Sequence, residues 1–341
     1  MKQRGVSRVV VTTLVENFVD IVLRDEPGVR RHGIVAHFDP KKEAILGENA
    51  VAFHVWVQWA DDYEYSVLFD TGLTGHVLLH NARALDIDLN RADHVVISHG
   101  HPDHYGGLSD VLAARDTPIP VSAHPDAFNP RYLRWESGEV SPYYNHGFTR
   151  EQVESAGGSL VVHTGPLEVG PSMLATGQVP REVDFESGHP VLDAPSASNM
   201  VVDGQLTPDL VLDEQALVVK VGDEGIVIIV GCGHPGIVNT LRYAMKLTAC
   251  ERILGVFGGF HLGFPGVPQE KIDKTIAALN DLEIETLCPM HCTGMPAIMQ
   301  FAAGCPDRFL LNSAGTSVLF EQGSTGRRGA RSDALAAETD L

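Results

Sequence analysis

Cysteine is scarce in this chain: five in 341 residues (Cys232, Cys250, Cys288, Cys292, Cys305), an odd number without paired spacing. That excludes a small disulfide-stapled scaffold and makes a reducing cytoplasm the expected compartment. Basic residues are few as well. Lys and Arg total 25 against 44 Asp and Glu, a formal net charge of −19. With so acidic a balance no basic stripe for nucleic acid is expected, although a metal can still supply local positive charge for an anionic substrate. Long apolar runs are missing. The N-terminal stretch is interrupted by Glu16, Asn17 and Asp20 and does not read as a signal peptide, and no run is long enough to cross a bilayer.

What is present is a chain that is 44% hydrophobic, ample for a large core. Residues 9–14 read as a strand, and 51–59 with 66–69 as a strand pair around a polar turn. A helix over 78–85, a short buried strand over 93–98, a helix over 109–115 and a strand over 119–123 follow. Residues 124–199, rich in Pro, Gly, Tyr and Ser, lack periodicity and read as a lid-like insertion. Its Phe128, Tyr132, Trp135, Tyr143, Tyr144 and Phe148 are expected to form a hydrophobic lid or a homodimer contact. Regularity returns with a hairpin over 217–221 and 225–230, then a helix over 237–248 and a strand over 252–257. A helix over 269–282 and strands over 286–289 and 317–320 complete the pattern. Strands followed by helices in both halves predict an α/β chain in which two sheets pack together with helices outside, an αββα four-layer sandwich. One domain over residues 1–321 is expected, with a disordered tail over 322–341.

The chemistry concentrates in His99-Gly100-His101-Pro102-Asp103-His104. Residues two apart on an extended chain point the same way, so His99 and His101 can present imidazoles to one metal. Pro102 then turns the chain, letting Asp103 and His104 face the same cavity. Three imidazoles and a carboxylate within six residues at the end of a buried strand form a metal-ligand signature, not a chance histidine-rich loop. Later strand ends carry Gly231-Cys232-Gly233-His234, Gly258-Gly259-Phe260-His261-Leu262 and Pro289-Met290-His291-Cys292. Parallel strands after helices share an orientation, so these ends should emerge on the same edge as His99. His234 is the preferred third ligand. One of His261 and His291 is expected to complete the site, the other to bind substrate or act as a general acid. Cys232 is either a ligand or inert packing. His189, in the insertion, is a reserve ligand.

The ligand run resembles the His-x-His-x-Asp-His signature of the metallo-β-lactamase superfamily, and Leu68-Phe69-Asp70-Thr71-Gly72 resembles its Asp-Thr-Gly element. A narrower resemblance is to the dihydropterin-ribofuranosylaminobenzene-phosphate synthase-like branch. Thr13-Leu14-Val15-Glu16-Asn17, Thr176-Gly177-Gln178-Val179-Pro180-Arg181, Asp213-Glu214-Gln215-Ala216-Leu217 and the three later strand ends carry it, in order. Gln178 departs from that branch's Glu, and residues 24–47 form an extra segment.

The resemblance implies that Asp70 orients the ligand loop from behind. It also implies that Cys232 stands where most relatives carry a bridging Asp. The expected cofactors are two divalent ions, zinc first, with manganese or iron as alternatives. His99, His101 and His234 would hold one; Asp103, His104 and His261 or His291 the other. Asp103 and His291 are the candidate acid–base groups. Arg181 is a candidate grip for an anionic group, with a surface ion pair as the equally weighted alternative. The implied activity is hydrolysis of a small-molecule ester, lactone or phosphoester by a metal-activated water. An iron-dependent redox enzyme using oxygen or sulfur chemistry is the rival, and a non-catalytic binding module the third reading.

Overall fold

The computed structural model describes residues 6–135, 137–142, 148–186 and 198–323. In chain order the first half contributes β1 (Val6–Val15), β2 (Val29–Arg30), helix α1 (Ile34–Phe38), β3 (Ala52–Trp59), β4 (Glu64–Phe69) and α2 (Gly75–Ala84). Next come β5 (His94–Val96), α3 (Pro102–Tyr105), α4 (Leu108–Ala113), β6 (Ile119–Ala123), β7 (Arg131–Arg134), β8 (Val140–Pro142), α5 (Arg150–Ser155) and β9 (Gly158–Val162). The second half supplies β10 (Leu167–Gly170), β11 (Met173–Ala175), β12 (Ser198–Val202), β13 (Gln205–Pro208), β14 (Leu217–Val221), β15 (Gly225–Val230) and α6 (Ile237–Thr248). Then β16 (Ile253–Gly259), α7 (Gln269–Asn280), β17 (Leu287–Met290), α8 (Met295–Gly304) and β18 (Ser317–Glu321) close the chain.

Two large sheets result, ordered β2-β18-β1-β3-β4-β5-β6-β9 and β10-β11-β14-β15-β16-β17. Their facing sides carry alternate residues of each strand, as the two-residue period of a pleated strand requires. Val9, Val11, Phe53, Val55, Val67 and Phe69 from the first sheet meet Val219, Val227, Ile229, Phe257 and Met290 from the second. The opposite residues of the same strands face helices. Leu14, Leu68, Val95 and Ile97 pack under Leu78, Leu108 and Val111, while Val218, Ile228, Val230 and Val256 pack under Ile237, Leu241, Ile272 and Phe301. In β15 (GIVIIV) every residue is buried, because a strand covered on both faces has no solvent side. The chain thus has the four-layer αββα architecture of the metallo-β-lactamase fold.

Two expectations change. Residues 124–199 are not one insertion: β9 joins the edge of the first sheet beside β6, and β10 and β11 join the second. What stands apart is a small sheet ordered β13-β12-β7-β8, which reaches past residue 199 to Pro208. Nor is Phe148 lid material. It is buried in the core, stacked on Tyr105 at 4.5 Å and Phe128 at 4.6 Å between ring centroids. Trp135 is exposed. Tyr143, Tyr144, His189 and residues 324–341 lie outside the described residues. Helix α8 carries no sequence expectation, although Pro296 in its first turn is a helix-start signal.

The topology fixes where chemistry can occur. Strands β4, β5 and β6 run parallel, as do β15, β16 and β17. Their carboxyl ends deliver Asp70, Ser98–His99, Cys232–His234, His261 and His291 to one edge, where open α/β sheets place their ligands. No helix among the described residues is long and apolar enough to cross a membrane.

Candidate metal centre

The site starts with Asp70, the residue after β4. It is fully buried and sits at φ +59, a left-handed conformation that Asp tolerates better than most residues. Its carboxylate accepts the Ser98 amide at 2.7 Å, the Ser98 hydroxyl at 2.7 Å and the Nδ1–H of His104 at 2.7 Å. Because the Ser98 hydroxyl donates to Asp70, His99 Nδ1 must donate to that hydroxyl at 2.9 Å. The other ring nitrogen of each histidine therefore keeps its lone pair and faces inward. Gly231 makes this approach possible: a Cβ there would stand 2.3 Å from Ser98 Oγ.

The second half repeats the device. Glu214, buried just before β14, accepts the amides of Cys232 at 2.8 Å, Gly233 at 2.6 Å and His234 at 2.7 Å, and the His234 Nδ1–H at 2.6 Å. His101 Nδ1 and His99 Nε2 share a hydrogen bond of 3.0 Å, and Asp209 lies 3.8 Å from His101 Nε2. Arg131 of β7 ties this corner together. It bonds Asp209 at 2.7 Å, Asp213 at 2.8 Å and the Gly100 carbonyl at 3.1 Å, while Asp213 takes the Gly100 amide at 2.7 Å. The peptide between His99 and His101 is held at both polar ends. A Cβ at Gly100 would fall 2.2 Å from the Ala127 carbonyl, so only glycine fits.

Inward-facing atoms form two groups. Asp103, His104, Cys232 and His291 bring one ligand atom each within 4.8 Å of one another, as do His99, Cys232 and His234. Cys232 belongs to both, 3.2 Å from His104 Nε2. Asp103 Oδ2 lies 3.3 Å from His291 Nε2 and 3.7 Å from His104 Nε2. His101 is in neither group, although its Nδ1 lies 3.0 Å from His99 Nε2, and His261 is in neither as well. His261 stacks on Phe264 at 4.3 Å and lies tilted against His234 at 4.3 Å, beside a gap of only about 10 Å³. Among the described residues no carboxylate is bonded to Arg181. Its guanidinium donates to the carbonyls of Leu210 and Val211, bracing the turn from which Asp209, Asp213 and Glu214 project; Val211 there sits at φ +49.

The electrostatics suit a cation. Burial keeps His99, His234 and His261 neutral, their pKa values well below the usual histidine range, with neighbouring imidazoles adding to the effect. Burial alone would raise the Asp103 carboxyl, yet His104 and His291 together hold it well below the carboxylate range. His291 moves the other way: burial opposes its cation, but Cys292, Asp103 and Glu16 push it up to about 9. A cluster that attracts a proton this strongly attracts any cation in its place. The donor set of nitrogen, oxygen and sulfur fits a divalent metal.

Several of these groups were invisible as site residues in the sequence. Glu214 falls in a quoted motif without a role; Arg131 and Asp209 carry no motif at all. Their only trace is composition, since charged residues in strand ends that are otherwise apolar have to be paired. A cavity of about 540 Å³ lies elsewhere. Lined by His54, Trp56, Glu64, Asp93 and Arg115 among others, it opens at the amino ends of β4 and β6, away from the ligand groups.

Residues 54–291 match the model of the metallo-beta-lactamase superfamily. The chain is 30% identical to the 7,8-dihydropterin-6-methyl-4-(beta-D-ribofuranosyl)-aminobenzene-5'-phosphate synthase of Methanocaldococcus jannaschii over 256 residues, 74% of this chain and 84% of that protein. An uncharacterized protein of the same archaeon is also 30% identical, over 69% of this chain and 82% of its own length. The crystal structure of Tm1679, a metal-dependent hydrolase of the beta-lactamase superfamily, superposes with a TM-score of 0.67 at 28% identity, covering 91% of this chain and 98% of that one. The chain belongs to the metallo-β-lactamase superfamily and, within it, resembles the dihydropterin-ribofuranosylaminobenzene-phosphate synthase-like branch.

Proposed function

We propose that the chain is a metal-dependent hydrolase that directs a water at an ester, lactone or phosphoester of a small molecule. The observation that carries this reading is the pairing of inward-facing imidazoles with hydrogen-bond partners behind them: Ser98 for His99, Asp70 for His104 and Glu214 for His234. Such backing fixes the tautomer and direction of a ligating histidine, and a purely structural cluster has no use for it. His99, His101 and His234 would hold one ion and Asp103, His104 and His291 a second, with the Cys232 thiolate shared between them. Zinc is the first choice. Divalent ions bound there supply an activated water and polarise the oxygen of the bond to be cleaved.

The chain's own residues do the rest. Asp103, ionised across the working pH range, is placed to accept a proton from the incoming water while it remains among the ligands. His291, considered in the sequence as a general acid, serves as a ligand, since its Nε2 faces Asp103 inside the second group. His261 is left at the rim to touch substrate. The M. jannaschii relative is named a synthase, and its named substrate comes to this chain only as one phosphorylated candidate for the screen.

A second reading is favoured by one observation: Cys232 occurs in both groups, and a thiolate softens the site towards iron. Iron with oxygen-dependent turnover would then replace hydrolysis. The test loads metal-free protein with zinc, manganese or iron and offers aryl esters, lactones and phosphodiesters, with and without oxygen. Oxygen-independent turnover of one of these classes, lost in Asp103→Asn, is expected. Turnover that needs iron and oxygen, or none with any metal, would overturn the hydrolase reading.

A further inference from the structure

Three imidazoles of the site, His99, His104 and His234, bond a polar group behind them; His291 has none that its ring bonds directly. Its Nδ1 is buried and without a hydrogen-bond partner among the described residues. A buried carboxylate beside this histidine has no place in either ligand group. Glu16, the residue after β1, is 2% exposed, and its Oε1 accepts the main-chain amide of His291 at 3.1 Å. Its Oε2 has no hydrogen-bond partner among the described residues either. A half-satisfied carboxylate in a closed interior is costly, and so is an unpaired imidazole N–H. The two deficits sit on the same pair of residues. Moreover, His291 adopts φ +51, a left-handed conformation that is unfavourable for a residue with a Cβ, and the Glu16 bond grips the amide of that residue.

We propose that Glu16 is a positioning residue for His291, the carboxylate that fixes its backbone turn and takes its Nδ1–H when Nε2 binds metal. The inference rests on the metal-centre reading above. It gives the N-terminal strand a part in the site: residue 16 is the member of the Thr13–Asn17 motif that reaches the centre, although it is 275 residues from its partner.

The test titrates metal-free wild type, Glu16→Gln and Glu16→Ala with cobalt(II), following the visible d–d bands and the near-ultraviolet thiolate band, with thermal unfolding of each metal-free protein alongside. Gln keeps the shape and an acceptor for the His291 amide, so Glu16→Gln is expected to fold even if Glu16→Ala does not. Wild type should take up two equivalents. In the variants the first should bind as in wild type and the second roughly tenfold or more weakly, less so for Gln than for Ala. Two equivalents bound with wild-type affinity in both variants would overturn the proposal. Equal weakening of both equivalents would do so too, since it would mark Glu16 as general scaffolding. No uptake by wild type itself would sink the metal-centre reading first, and this inference with it.

Discussion

The two halves of the chain reach the same centre by different routes. The first half spends six consecutive residues, His99 to His104, on four inward-facing groups. The second half sends Cys232, His234 and His291 from the ends of separate strands. The dense run is local, so its geometry follows from an extended segment and a Pro102 turn. The scattered set depends on parallel strands sharing a direction, and therefore on the whole sandwich. Yet the dense run is not self-sufficient: Arg131 with Asp213 clamps its Gly100 peptide, and Asp209 backs His101.

The largest expected effect breaks that dependence. Arg131→Met leaves Asp209 and Asp213 buried without their cation and should cost roughly 3–5 kcal/mol in urea unfolding. A loss below about 1 kcal/mol would mean that the first-half loop stands without its anchor. Next comes pH. His94, at the start of β5, is lowered to about 4, chiefly by burial and then by His163. It is neutral in the folded chain while the unfolded chain takes up a proton near 6.5. Its contribution is therefore complete above 6.5 and lost as pH falls through 4, on the order of 3 kcal/mol. His94→Gln should flatten that acid limb of the stability profile; an unchanged limb would assign the loss to other groups.

Smaller still, Asp70→Ala and Glu214→Ala set the halves against each other. Each should weaken metal binding about 10- to 100-fold, Asp70 chiefly through His104 and Glu214 through His234. Competition with a chelator would measure both, and identical effects on both ions would erase the distinction. His261→Ala should leave metal content unchanged, since the His261 ring packs on Phe264 whereas His101 bonds His99; loss of an ion would return it to the ligand set.

How legible the site was follows the same division. The αββα layering could be read because β-branched runs and helical periods survive in both halves, and helix Ile237–Thr248 appears with the bounds its periodicity gives. The run His99–His104 announced itself by density. His261 and His291 could not be told apart, because both follow buried strands and sit at φ near +50; only the fold shows which one faces Asp103. The supporting carboxylates were hidden for a physical reason. Glu16, Asp209 and Glu214 act on residues 275, 108 and 20 positions away, and a single acidic side chain in a loop carries no periodicity. The segment after residue 124 was hard to read because its strands are short and three of them, β8, β9 and β10, sit at sheet edges, where alternation is weak.

The most direct test is metal content by plasma mass spectrometry on protein purified without chelator or added metal, for wild type and His101→Ala. Close to two zinc or manganese ions per wild-type chain, sharply reduced in the variant, is the predicted result. No bound metal in either protein would contradict the account at its centre.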